Sequence, residues 1–128
     1  MRPDQRPDVL AWLHKAESDL QMADFAMTAD LPDQACFHAQ QAAEKALKSL
    51  LVADGRFVPR THNLPLLLDT LHGTEWDTPE FVHRAAEVTL YAVGARYPDF
   101  DEPGTRQAAD AVGFAQEVMA IVRRKLGL

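Results

Sequence analysis

The block Phe37-His38-Ala39-Gln40-Gln41-Ala42-Ala43-Glu44-Lys45-Ala46-Leu47-Lys48 carries four side chains whose types and spacing could serve a ligand. At about 100° per helical residue, His38, Gln41, Lys45 and Lys48 share about 80° of arc, opposite an apolar face centred near Leu50. An imidazole, an amide and two ammonium groups on one stripe could hold a phosphate and read a ligand edge. The plainer alternative is a solvated outer face, and that is the role expected of Lys48. Long helices fill exposed positions mostly with Glu and Lys, so His38 and Gln41 stand out more than the two lysines.

Two further clusters carry positive charge. The loop Arg56-Phe57-Val58-Pro59-Arg60-Thr61-His62 is the most basic stretch ahead of the C-terminus. Arg56, Arg60, Thr61 and His62 around a proline-stiffened turn could bind phosphate through bidentate hydrogen bonds. Alternatively, Thr61 and His62 only cap the helix that follows. Arg96-Tyr97-Pro98-Asp99 closes another helix, where Arg96 could anchor phosphate and Tyr97 could offer a stacking face. There the structural reading is that Arg96 satisfies helix carbonyls and pairs with Asp99. Trp12 and Trp76 read as core and rim packing.

Other chemistries find no footing. The sequence has no Walker loop and no Gly-x-Gly-x-x-Gly after a strand. Histidines 14, 38, 62, 72 and 83 contain no His-x-x-x-His, and Cys36 has no second cysteine for zinc. A di-iron bundle needs Glu-x-x-His on two helices, which the sequence does not supply. Only Ser18 and Ser49 are serines, and neither sits on a nucleophile elbow. No metal or cofactor is expected. A net charge of −6 argues against bulk electrostatic capture of nucleic acid and leaves only local basic contacts.

The elements that must position these residues are helical. Of 128 residues 47% are apolar, and Ala (20) and Leu (15) outnumber Val, Ile and Thr together (17), a balance that favours helix over strand. Val9, Leu13, Ala16, Leu20, Ala23 and Met27 mark one face of a helix from about Pro7 to Ala29. Asp30 is the expected N-cap of a second, about Pro32 to Ala53, burying Cys36, Ala39, Ala43, Ala46, Leu47 and Leu50. Asn63 caps a short helix from Leu64 to about His72. Thr78-Pro79-Glu80 starts a fourth, to about Ala95, with Phe81, Ala85, Val88 and Ala92 inward. The last runs from about Thr105 to Leu126 on Ala108, Val112, Ala115, Met119 and Val122. Short connections make successive helices antiparallel.

The expected fold is therefore all-α: one domain over residues 1–128, an up-and-down four-helix bundle with a short additional helix between the second and third long ones. In that arrangement Arg96 and Tyr97 approach His38 and Gln41, while His62 falls near the far end of the second helix. Phe25 and Phe37 project off the core faces and suggest a homodimer. The opening MRPDQRPDVL has no apolar h-region, and no apolar run approaches the roughly eighteen residues of a span. With a lone cysteine, the chain reads as cytoplasmic and not membrane-bound.

The FHAQQAAEKALK block, then Thr61-His62-Asn63-Leu64, then Ala95-Arg96-Tyr97-Pro98-Asp99, with the opening Trp12-Leu13-x-Lys15-Ala16-x-x-Asp19-Leu20, resembles the HEPN domain family. The resemblance spans nearly the whole chain in the right order. It implies a helical bundle, often homodimeric, frequently encoded beside a small nucleotidyltransferase as a two-component toxin–antitoxin system. It also implies kinship with metal-independent ribonucleases, whose Arg-x(4–6)-His motif lies on a late helix. Here no histidine follows Arg84, so that motif is missing. Arg56 to His62 fits Arg-x5-His literally but precedes the short helix. The expectation is a non-catalytic module in which His38, Gln41, Lys45, Arg96 and Tyr97 bind a nucleotide or RNA phosphate. The alternatives are a ribonuclease using His62 or His38 with Arg56 or Arg96, and a purely structural dimerisation module.

Overall fold

The computed structural model describes residues 6–71 and 73–128. Five α-helices follow one another: α1 (Pro7–Thr28), α2 (Pro32–Ala53), α3 (Leu64–Thr70), α4 (Pro79–Arg96) and α5 (Thr105–Lys125). A 3-10 turn, Thr74–Trp76, precedes α4, and no strand occurs among the described residues. The four long helices and the short α3 are those the periodicity predicts. His72, expected at the end of the short helix, lies outside the described residues, as does Met1–Gln5 of the opening decapeptide.

Local chemistry fixes the helix ends. Pro occupies the first turn of α1, α2, α3 and α4, where its missing N–H costs no hydrogen bond. Asn63 accepts from the Leu66 N–H and Thr78 from the Phe81 N–H, the two side-chain caps expected of them. Asp30 departs from its expected role. Its φ of 57° places it just past α1, where its N–H reaches the Met27 carbonyl and the Leu31 N–H reaches that of Ala26. It closes α1 in a Schellman turn, and Leu31, without a side-chain cap, opens α2. Gly55 and Gly127, with φ of 70° and 74°, close α2 and α5 the same way.

Helix α2 is the central stave, packed against α1, α4 and α5. Its buried alanines (35, 39, 42, 43 and 46) let these neighbours come close. Trp76, Phe81 and Phe114 fill the α4–α5 side, with successive ring centroids 5.5 Å and 5.0 Å apart. The inward residues expected of α4 and α5 are all buried. On α1 Leu20 and Met27 are only half-buried, and on α2 so is Leu50. Gly94 lets the 98–103 segment cross α4, because a Cβ there would lie 2.7 Å from the Asp101 carbonyl oxygen. No helix among the described residues is long and apolar enough to cross a membrane.

Candidate functional site on the polar face of α2

The stripe on α2 is not the solvated face that helical geometry alone allows. Lys48, expected in water, is only 6% exposed, and Gln40, Glu44 and Ser49 are buried with it. Helix α1 covers one flank, with Lys48 Nζ 5.9 Å from the centroid of the Trp12 ring. The segment after Pro59 covers the other. The stripe becomes a half-buried seam in which every charge has a partner.

Two carboxylates organise it. On the α1 side, Asp19 accepts from Lys45 Nζ at 2.6 Å and lies 3.0 Å from His38 Nδ1. On the other side, Glu44 accepts from Lys48 Nζ at 3.0 Å and lies 2.8 Å from His62 Nδ1. Gln40 joins the halves, donating to Glu44 (3.2 Å) and to the His62 carbonyl (2.8 Å) while accepting from Gln41 at 2.9 Å. A carboxylate against Nδ1 fixes the tautomer of a neutral imidazole, with the proton on Nδ1 and the Nε2 lone pair turned away. In both rings Nδ1 lies against a carboxylate, which orients the ring. The His62 side chain is 63% exposed over a Glu44 side chain that is 5% exposed, the arrangement of an oriented acid–base group.

His62 therefore sits at mid-helix beside Gln40 and Glu44, not near the far end of α2, because the 56–63 segment folds back along the helix. Glu44 supplies His62 with an orienting carboxylate. Its neighbours take other roles. Arg56 Nη1 donates to the Thr70 carbonyl and ties the segment to the end of α3. Thr61 accepts from the Asn63 N–H at 3.1 Å and so holds the cap residue of α3, while the cap itself is Asn63. Arg60 is exposed.

Arg96 reaches the seam as antiparallel packing predicts. Its guanidinium lies 5.0 Å from the Phe37 ring centroid, and that ring meets His38 edge-on at 5.2 Å. Phe37 is thus half-buried under Arg96 instead of projecting freely, whereas Phe25 is 68% exposed. Arg96 makes no ion pair with Asp99 or any other carboxylate among the described residues. Tyr97 does not join the stack; its ring faces Phe100 at 6.3 Å. Among the described residues no group of three His, Cys, Asp or Glu side chains could hold a metal ion.

Asp19 and Glu44 are the candidate-site residues that sequence reasoning passed over. Each left a signal. Asp19 follows Trp12 by seven residues, which puts both on the same side of α1, and Glu44 precedes Lys48 by four, the spacing of a helical ion pair.

The HEPN domain family model matches residues 9–125, and the chain belongs to that family. It is similar to TT1696 from Thermus thermophilus, whose crystal structure is 31% identical with a TM-score of 0.83, over 94% of this chain and 99% of that one. It is also similar to ST0689, an archaeal HEPN homologue, at 25% identity and a TM-score of 0.73, over 92% and 97% of the two chains. No curated protein matches the chain.

Proposed function

We propose that this HEPN chain is a non-catalytic, cytoplasmic homodimeric module that binds a nucleotide or RNA phosphate on the polar face of α2. It works beside a small nucleotidyltransferase, in the toxin–antitoxin manner of many such pairs. The observation that carries the reading is the Arg96–Phe37–His38 stack beside the Asp19–Lys45 pair. Arg96 has no carboxylate partner among the described residues, so its donors remain for phosphate. Lys45 keeps donors beyond the one given to Asp19, and Gln41 keeps its carbonyl oxygen for a ligand edge. Tyr97 would act at the margin, as a stacking surface near Phe100. Metal-free protein titrated with labelled short RNA should bind weakly, lose affinity steeply with salt, and leave the RNA intact.

A second reading, metal-independent ribonuclease action, is favoured by one specific feature: Glu44 orients His62 as a base. Arg56, the cation that would serve this reading, is turned to the Thr70 carbonyl. Cleavage of mixed RNAs that disappears in His62→Ala or His38→Ala would establish it over the binding reading.

A further inference from the structure

Helices α4 and α5 part along one side of the bundle and leave two recesses that meet at Tyr91. One, of about 300 Å³, has Leu90, Gly94, Phe100 and Pro103 in its wall. The other, of about 250 Å³, has Val88 and Phe114. Leu90 and Phe100 stand exposed over the first. The rim is acidic: Asp101 and Glu102 line the first recess, and Glu87 and Asp110 the second. The cation among the lining residues, Arg84, lies 2.8 Å from the Glu117 carboxylate and adds no uncompensated charge. From Arg84 to Gly94 the groove follows about ten residues of α4, roughly 15 Å at 1.5 Å per residue.

An apolar recess beside Leu90 and Gly94, continued by a polar one that carries Glu87 and Asp110, complements one kind of partner: a helix with apolar side chains on one face and Lys or Arg flanking them. A second copy of this chain is the poorer fit. Its net charge is −6, and Arg123 and Lys125 in its basic last turn are already paired with Glu17 and Glu75. We infer that the α4–α5 groove is a docking site for a basic amphipathic helix of a partner protein. The groove shares no residue with the polar face of α2, so it stands or falls independently of the phosphate reading.

The probe is a fluorescein-labelled helical peptide of Leu, Ala and Lys, compared with a Glu-for-Lys version and a scrambled version, titrated with the full chain by anisotropy. The Lys peptide should saturate, and both comparison peptides should bind at least tenfold more weakly. A Leu90→Ser/Phe100→Ser double variant, with its helical content checked by circular dichroism, should weaken the Lys peptide at least tenfold. Asp101→Asn/Glu102→Gln should weaken it several-fold and flatten its salt dependence. Equal binding of the Lys and scrambled peptides, or undiminished binding to the double variant, would overturn the inference. So would a dimeric wild type that the Leu90→Ser/Phe100→Ser variant converts to monomer, since the groove would then be a self-interface.

Discussion

Glu44 is the side chain on which the polar face of α2 turns, because it is buried and compensates Lys48 and His62 at once. Removing one member of a buried ion pair leaves the other uncompensated, at about 3 kcal/mol. Lys48→Ala should therefore lower unfolding free energy by about that much in urea titrations, with Glu44→Gln at least as costly because it leaves the buried Lys48 ammonium without a carboxylate. A surface lysine would lose almost nothing, so a near-neutral Lys48→Ala would contradict the burial. The expectation of a solvated Lys48 failed for a physical reason. Its helical angle is legible in the sequence, but the covering of that angle by Trp12 and by the segment after Pro59 depends on long-range packing. Cys36 and Tyr91 supply a pH test. Burial, aided by Asp33, pushes the Cys36 thiol from 9.0 up to about 12, and burial with the Glu87 hydrogen bond takes Tyr91 from 10.0 up to about 12. Between those values the unfolded chain has released protons that the folded chain retains. Stability is thus full below pH 9 and declines as the pH rises toward 12, which thermal unfolding across that window should register. At about pH 8, iodoacetamide should leave native Cys36 unmodified.

At the scale of elements, the ends of the helices carry the most direct tests. Asp30 holds a left-handed conformation that a side chain disfavours, so Asp30→Gly should raise stability by about 0.5 kcal/mol, the relief outweighing the added freedom of the unfolded chain. Gly94→Ala should do the opposite: a Cβ 2.7 Å from the Asp101 carbonyl oxygen forces the 98–103 segment to move, at about 1–3 kcal/mol. Calorimetry of the two variants should shift the melting temperature in opposite directions. The helices themselves were legible because their signals are local: Ala and Leu at three- and four-residue spacing, Pro in first turns, Gly55 after α2. Asp30 misled because an aspartate between two helices fits either the end of one or the start of the next. Only the left-handed backbone decides for the former. The path of residues 56–63 was equally hidden, since nothing within the segment specifies that it folds back along α2.

Across the whole molecule, the bundle presents two separate candidate surfaces: the polar seam on α2 and the acid-rimmed groove between α4 and α5. The exposed Phe25 on α1 fits the homodimer proposed above, and sedimentation velocity at tens of micromolar should give a species near twice 14.3 kDa. A 14.3 kDa particle throughout that range would contradict it. The seam should act through few contacts, given the net charge of −6, so its RNA affinity should depend on Arg96 and His38 far more than on bulk charge. One titration tests that claim most directly: metal-free protein against labelled short RNA, read for anisotropy and for strand integrity in the same samples. Intact RNA is predicted, with binding weakened about tenfold or more by Arg96→Ala and by His38→Ala. RNA that is cut by the wild type and spared by His62→Ala would contradict it.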